Sequence, residues 1–217
     1  VGTVRDTFVS WMVDQGWPAP WHAPVVAETY DGALNDINGQ HVEPTHVLSA
    51  LQTAASGPVR EGSVGGGTGM LCNGFKGGIG TASRVVSAAG RLFTVGVLVQ
   101  CNYNWEGKSL RLGDQWVSKK LPVGEHCYTD DTIAPKNPWF PFCSGAELIK
   151  DSPARDGSII VVIATDAPVL PHQLKRVAKR PALSLGRLGA ISSPGSGDIF
   201  VAFSTGNTGA LSEDQFN

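Results

Sequence analysis

Asp156-Gly157-Ser158-Ile159-Ile160-Val161-Val162-Ile163-Ala164-Thr165-Asp166 is the stretch that decides the predicted fold. A Gly-Ser pair leads directly into a run dominated by Ile and Val, a pattern typical of a strand buried on both faces. Ser158 stands at the entrance of this strand, where a hydroxyl is easily aimed. Our working hypothesis is that Ser158 is a nucleophile and that the chain cleaves itself at the Gly157-Ser158 bond.

Length and composition favour one globular α/β domain over residues 1–217. The chain has 217 residues, 41% of them hydrophobic, which is enough for one sizeable core. Its 17 basic and 19 acidic residues leave no basic patch typical of nucleic-acid binding. No apolar run approaches the roughly 20 residues that span a bilayer, and no signal-peptide pattern opens the chain. We expect a soluble protein without nucleic-acid or membrane partners, with the cytoplasm as the favoured compartment.

Residues 62–84 are rich in glycine, as phosphate-binding loops are. A P-loop needs Gly-Lys-Ser/Thr at the start of a helix, whereas Lys76 precedes its glycines. The spacing of the Gly-x-Gly-x-x-Gly turn is also not met, and a run with strand propensity follows where a nucleotide fold places a helix. The stretch therefore predicts a pair of glycine-kinked edge strands and no cofactor.

The cysteines and histidines do not form a recognisable metal site. The four cysteines are irregularly spaced, without a Cys-x-x-Cys pair, and His41 and His46 are too far apart for one helical face. Cys72 and Cys101 lie in segments predicted to be buried, and we expect them to be free thiols. Cys127 and Cys143 flank a proline-rich loop, and a bridge between them in an oxidising compartment stays open.

Other elements follow from periodicity and from helix start and stop signals. The predicted elements are a core-packing helix over residues 3–15, a short strand over 25–29, a helix from Pro44 to about residue 55, a second buried strand over 92–103, an irregular insert over 117–156, a helix over 171–180 that Pro181 kinks or breaks, and a strand within 195–204.

Polar residues stand at the ends of these predicted strands and are expected to converge at one edge of the fold. They are Tyr30, Asn102, Ser158, Ser196 and Asp198. This pattern alone is only weak support for a hydrolase, since each residue also suits a turn or a strand end. Ser158 lacks a Gly-x-Ser-x-Gly elbow and a histidine in a triad motif, so it requires another base.

The sequence resembles the DmpA-type self-processing aminopeptidases, a family that includes L-aminopeptidase/D-amidase/D-esterase and the β-peptidyl aminopeptidases. The likeness covers nearly the whole chain apart from the proline-rich insert. It is carried by residues 1–5, Glu28-Thr29-Tyr30-Asp31-Gly32 with 34–37, the glycine-rich 65–84, Val99-Gln100-Cys101-Asn102-Tyr103, 157–168 and 195–205.

The resemblance implies an αββα sandwich of the DmpA/ornithine-acetyltransferase type, similar to the N-terminal-nucleophile hydrolases. A precursor of this type cleaves itself, here between Gly157 and Ser158, into an α-part (1–157) and a β-part (158–217) that stay together. Homo-oligomers of such αβ units are expected. Ser158 then becomes an N-terminal residue, and its own α-amine, with a reference pKa of about 7.7 to 8.0, supplies the missing base.

The resemblance also implies roles for the remaining polar residues. Ser196 and Asp198 assist Ser158 through a hydrogen-bonded relay, and Asn102 donates to the oxyanion. Tyr30 lines the oxyanion region, and Glu28 pairs with the free ammonium of a small peptide or amino-acid amide. No cofactor or metal is implied.

Two alternatives to an aminopeptidase remain at this point. Relatives carry further segments at both ends, so this chain is expected to be a fragment, and an inactive fragment would act only as a binding or assembly module. The acyltransferases that share the sandwich are the other alternative, but their nucleophile is a threonine. Pro181 and the proline-rich insert before Gly157 are also departures from the family pattern.

Overall fold

A computed structural model describes most of the chain on either side of the proline-rich insert. The described residues are 1–17, 21–104, 109–117, 120–121, 127, 157–191, 195 and 197–209. The predicted insert over 117–156 lies almost wholly outside them.

Four helices and eight strands make up the regular structure of the described residues. They are α1 (Gly2–Asp14), α2 (Pro44–Gln52), β1 (Leu71–Cys72), β2 (Phe75–Lys76), β3 (Gly78–Ala88), β4 (Arg91–Asn102), β5 (Arg111–Leu112), β6 (Gln115–Trp116), β7 (Ser158–Thr165), α3 (Pro171–Ala178), α4 (Arg180–Arg187) and β8 (Ile199–Ser204).

One four-stranded sheet dominates, in the order β3-β4-β7-β8. The pairs β3/β4 and β4/β7 are antiparallel, and β7/β8 is parallel. A parallel pair needs a crossover connection, and here α3 and α4 provide it. In the register of β4 with β7, Asn102 lies directly opposite Ser158. The end of β4 and the starts of β7 and β8 therefore meet at one edge of the sheet, as the strand-end pattern predicts.

Two tight turns build the hairpins that lead into this sheet. Asn73 and Gly74 connect β1 to β2 with φ values of 53° and 75°, and Ala89 and Gly90 connect β3 to β4 with φ values of 50° and 71°. Two consecutive residues of positive φ are typical of the type I′ turn, whose twist matches that of paired strands. Asn and Gly adopt this conformation at little cost.

The main core lies between the sheet and the helical crossover. Ile159, Val161 and Ile163 on β7 are buried, and they contact odd-numbered residues of β4 together with Val177 of α3 and Leu185 of α4. Since side chains alternate along a strand, the even-numbered residues, including Asn102 and Ser158, face the other way. The helix-facing side of the sheet thus provides apolar packing, and the opposite side carries the polar strand ends.

The glycine-rich stretch is organised by backbone contacts. It contains a 3₁₀ turn at Gly65–Gly67, the β1/β2 hairpin and the start of edge strand β3, so it is more elaborate than the predicted pair of strands. The ammonium group of Lys76 donates to the carbonyls of Gly67 and Gly77 at 2.9 and 2.8 Å. Desolvation lowers the pKa of Lys76 below its ordinary value. The hydrogen bond from Lys76 to Gly67 connects β2 to the 3₁₀ turn within the glycine-rich stretch.

The expectation of free thiols at Cys72 and Cys101 is wrong. The two residues form a disulfide that joins β1 to β4, with their Cα atoms 5.7 Å apart. They are separated by 29 positions in sequence, and only the approach of the β1/β2 hairpin to β4 brings them together. Cys127 is also disulfide-bonded, and Cys143 lies outside the described residues.

Two predictions near the N-terminus need correction. The helix over 3–15 is present as α1, but none of its residues is buried, so it is not a core helix. The segment 25–29 is not a strand. It is tied to β4 through side chains, because Gln100 donates to the hydroxyl of Thr29 and Asn102 donates to the carbonyl of Tyr30. These contacts replace a backbone ladder.

The predicted helix break near Pro181 is confirmed, but it lies at Lys179, two residues before the proline. Helix α3 ends at Ala178, and α4 begins at Arg180 with Pro181 in its first turn. Proline lacks a backbone N–H and is tolerated in the first turn of a helix, where that group has no intrahelical partner. The proline therefore starts a second helix.

The packing of β7 predicts a large effect of truncating Ile159. Its side chain is 3% exposed, whereas that of Ile191 is 86% exposed. We expect Ile159→Ala to lower the free energy of unfolding by about 2 to 5 kcal/mol, and the matched Ile191→Ala to change it by less than about 0.5 kcal/mol. Urea unfolding of the two variants measures this difference, and equal losses would contradict the assignment of the core.

Candidate active site

The candidate site lies at the sheet edge where β4 ends and β7 begins. Ser158 is the first residue of β7, and its backbone pairs with that of Asn102, the last residue of β4. Asp198 immediately precedes β8, which runs parallel to β7. Three of the predicted site residues thus come from three neighbouring strand ends.

Asn102 is the most deeply buried polar residue of this edge, at 1% exposure. Its Oδ1 accepts a hydrogen bond from the backbone N–H of Leu71 at 2.9 Å, and its Nδ2 donates to the carbonyl of Tyr30 at 2.6 Å. A primary amide has two N–H donors. One of them is therefore committed to Tyr30, and the second can serve another acceptor.

The hydroxyl of Ser158 is reached by a backbone donor that sequence reasoning missed. The N–H of Gly197 lies 3.3 Å from Ser158 Oγ. A Cβ atom built on Gly197 would stand 3.0 Å from the same oxygen, so a side chain at this position would crowd the hydroxyl. The Gly195-Ser196-Gly197-Asp198 sequence predicted roles for the side chains of Ser196 and Asp198, and the structure adds the backbone amide of Gly197 as a contact of Ser158. A backbone donor leaves no residue-type signal beyond the glycine itself.

Tyr103 and Asn73 form a second buried contact at this edge that was not predicted. Asn73 Nδ2 donates to the Tyr103 hydroxyl at 3.3 Å. Burial raises the pKa of the Tyr103 phenol, the bond from Asn73 lowers it by less, and the negative charge of Asp198 adds to the rise. The phenol therefore stays neutral near pH 7.

Tyr30 contacts the site from the irregular segment before α2, whereas Glu28 of the same segment pairs with the N-terminal amino group of Val1. Asn102 contacts the backbone carbonyl of Tyr30. The hydroxyl of Tyr30 lies over Gly32, where an added Cβ atom would come within 2.7 Å of it. The Glu28 side chain is 74% exposed, and its carboxylate lies 3.6 Å from the amino group of Val1. Glu28 is thus accessible to solvent, and Tyr30 is linked to the site through its backbone.

Ser196, predicted to assist Ser158, lies outside the described residues.

Among the residues that the structure does describe, no group of three or more His, Cys, Asp or Glu side chains is arranged to hold a metal ion. Within the same residues, no helix is long and apolar enough to cross a membrane.

A cavity of about 830 Å³ opens on the other side of the sheet. It is bordered by helix-facing residues such as Val97, Val99 and Val161 and by Leu185 of α4. Ser158 and Asn102 point away from this face because side chains alternate along each strand. The cavity therefore belongs to the packing layer on the face of the sheet opposite Ser158.

Comparison with protein families gives a match along the whole chain. The model described as "Peptidase family S58" matches residues 1–216. A beta-peptidyl aminopeptidase BapA from Sphingosinicella microcystinivorans is 56% identical over 216 residues, which cover 98% of this chain and 51% of the relative. A second BapA, from Sphingosinicella xenopeptidilytica, is 43% identical over 211 residues, covering 94% and 48%. The chain therefore spans about half the length of these relatives.

Solved structures give the same result. A Burkholderia sp. beta-aminopeptidase superposes with a TM-score of 0.76 at 45% identity, covering 95% of this chain and 50% of that one. The L-aminopeptidase D-Ala-esterase/amidase of Ochrobactrum anthropi, described as a prototype for the serine aminopeptidases and a new variant among the Ntn hydrolase fold, gives 0.73 at 43% identity, covering 94% and 50%. The predicted fold class, the α/β sandwich of the N-terminal-nucleophile hydrolases, is confirmed.

The buried amide of Asn102 predicts a specific loss of stability on substitution. Asn102→Leu fills a similar volume but removes the partners of the Leu71 N–H and the Tyr30 carbonyl. A buried polar group left unsatisfied costs about 1 to 3 kcal/mol, so we expect the free energy of unfolding to fall by at least about 2 kcal/mol.

Asn207→Leu is the matched control, measured by denaturant unfolding alongside Asn102→Leu. Asn207 is exposed and makes one bond, to the carbonyl of Val169 at 2.8 Å. Its loss should cost at most about 1 kcal/mol, because water can replace the amide. Equal losses in the two variants would show that Asn102 does not hold the edge together.

Proposed function

The chain belongs to peptidase family S58, and from this membership we propose that it forms part of a serine aminopeptidase and amidase activated by self-cleavage. Its nucleophile is Ser158. The observation that carries the proposal is the position of Ser158 at the start of β7, opposite the buried Asn102 and with the Gly197 N–H on its hydroxyl. In this arrangement the Gly197 N–H orients the nucleophilic oxygen, and the buried amide of Asn102 on the neighbouring strand is available as a preorganised donor to an oxyanion.

Self-cleavage begins when Ser158 Oγ attacks the carbonyl carbon of Gly157. The bond from that carbon to the Ser158 nitrogen breaks, an ester forms on Oγ, and the hydroxyl proton goes to the departing nitrogen. Water then hydrolyses the ester, which releases the carboxylate of Gly157 and regenerates the hydroxyl. Residues 1–157 and 158–217 would thereby belong to two subunits of one domain.

The new α-amine of Ser158 supplies the base for turnover. With a reference pKa of about 7.7 to 8.0, it is partly neutral near pH 7 and lies within reach of its own hydroxyl. This arrangement needs no histidine. His41 and His46 are engaged elsewhere, His41 with the carboxylate of Asp36 at 3.2 Å and His46 with the backbone N–H of Glu43 at 3.0 Å.

The remaining groups act on the substrate and on the oxyanion. We assign the second N–H of Asn102 to the oxyanion that forms when a substrate carbonyl is attacked; a donor of this kind is worth about 2.7 to 4 kcal/mol of the barrier. Tyr30 borders the same space. Ser196 and Asp198 assist Ser158 through a hydrogen-bonded relay, and the exposed carboxylate of Glu28 pairs with the ammonium group of the substrate.

The substrates we propose are short peptides and amino-acid amides or esters with a free amino terminus. We expect β-amino-acid residues at that terminus, because the two BapA relatives are beta-peptidyl aminopeptidases. Homo-oligomers of αβ units belong to the same proposal.

Intact-mass analysis of the full-length protein tests the assignment of Ser158. We expect the wild-type protein to yield two chains that meet at Gly157 and Ser158, and hydrolysis of a β-alanyl p-nitroanilide. Ser158→Ala should remain one chain and lose at least about 10⁴-fold in kcat, since it lacks the nucleophile.

Ser184→Ala serves as the matched control, because Ser184 lies on α4 beside the cavity on the opposite face of the sheet. It should be cleaved and should hydrolyse the substrate like the wild-type protein. An uncut wild-type protein, or a Ser158→Ala variant that retains hydrolysis, would refute the proposed function.

A further inference from the structure

Gly157, the residue before the proposed nucleophile, is pressed against the backbone of Tyr103. A Cβ atom built on Gly157 would overlap the Cα atom of Tyr103 and would lie 2.6 Å from the carbonyl oxygen of Asn102. Real Cβ atoms do not approach backbone atoms so closely, and backbone cannot move aside as the end of a flexible side chain can. Only glycine therefore fits at this position without displacing the strand edge.

Tyr103 is held in place from both ends by Asn73. The backbone N–H of Asn73 donates to the carbonyl of Tyr103 at 2.9 Å, and its side-chain amide donates to the Tyr103 hydroxyl at 3.3 Å. The amide oxygen of Asn73 in turn accepts a bond from Asn104 Nδ2 at 2.9 Å. Asn73 and Tyr103 are both buried. Backbone and side chain of Tyr103 are thus fixed by one residue.

Asn73 is suited to this task by its place in the turn between β1 and β2. Its φ of 53° lies in the left-handed region, which Asn adopts more readily than most residues. In that conformation its N–H and its side chain both reach Tyr103. The Asn73-Gly74 turn therefore does more than close a hairpin.

We propose that Asn73 and Tyr103 form a backstop that positions the Gly157 carbonyl for attack by Ser158. This inference rests on the proposed function and adds two positioning residues to it. The backstop sets how far Gly157 can retreat from Ser158 Oγ, and therefore how often the carbonyl carbon is within attack distance. Small displacements of reacting groups have large effects on rate.

The proposal separates self-cleavage from later turnover. During self-cleavage the electrophile is the carbonyl of Gly157, the residue whose Cα is closely approached by the backbone of Tyr103. During turnover the electrophile is a substrate carbonyl, and Gly157 is a chain end that takes no part. Weakening the backstop should therefore slow the first reaction by a larger factor than the second.

The test follows self-cleavage of the full-length protein after cell-free synthesis, by intact mass against time. Tyr103→Phe removes the hydroxyl, and Asn73→Gly removes the side-chain donor but keeps the positive φ and the backbone N–H. We expect each variant to cleave about tenfold more slowly, and the double variant no more slowly than either one, since both remove the same bond. Gly157→Ala should cleave at least about a hundredfold more slowly.

A stability control and a kinetic control accompany these variants. Val47→Ala removes a buried side chain of α2 that lies outside the cluster containing Tyr103, so it should lower the melting temperature without slowing cleavage. For Tyr103→Phe, the kcat of the fully cleaved enzyme should fall by a smaller factor than the cleavage rate.

The outcomes separate this inference from the proposed function. If the wild-type protein cleaves but Tyr103→Phe or Gly157→Ala cleaves at the wild-type rate, the backstop is wrong and the nucleophile assignment stands. Equal losses of cleavage rate and kcat in Tyr103→Phe would also overturn it, since they would indicate general damage to the site. If neither the wild-type protein nor any variant cleaves, the proposed function fails and the backstop fails with it.

Discussion

The antiparallel pairing of β4 with β7 is the constraint on which the rest of the structure depends. It places the buried amide of Asn102 opposite Ser158, and that amide ties the β1/β2 hairpin and the segment before α2 to the same edge through Leu71 and Tyr30. A slip of one residue would turn every side chain of β7 to the other face. Ser158 would then point into the apolar layer under α3 and α4.

One face of the sheet provides most of the apolar packing, and the other carries the residues of the candidate site. Ile159, Val161 and Ile163 pack on the face toward the helices, and this burial fixes the register. Ser158 and Asn102, at the ends of their strands, lie on the other face. The parallel addition of β8 brings the Gly197 N–H to Ser158 from a third strand. The edge is thus assembled from distant parts of the chain, and its precision depends on the packing behind it.

The sequence predicted the elements whose signals are local. The Ile/Val run after Ser158 identified β7, the run after Leu92 identified β4, and Pro181 indicated the break between α3 and α4. What it missed depends on the approach of distant segments: the Cys72–Cys101 disulfide, the hold of Asn73 on Tyr103 and the Gly197 backbone donor. Single-strand patterns carry no information about such contacts. The site roles themselves came from family resemblance, because turn-like residues such as Asp198 have no distinctive pattern.

The central claim is that Ser158 acts as an N-terminal residue, and periodate oxidation tests it most directly. Periodate oxidises the amino alcohol of an N-terminal serine to a glyoxylyl group and does not react with serines inside a chain. The full-length protein is treated, mapped by peptide mass and assayed on a β-alanyl amide. We predict a glyoxylyl group at position 158 and a parallel loss of hydrolysis. A fully active enzyme whose Ser158 resists periodate and is still joined to Gly157 would contradict this assignment.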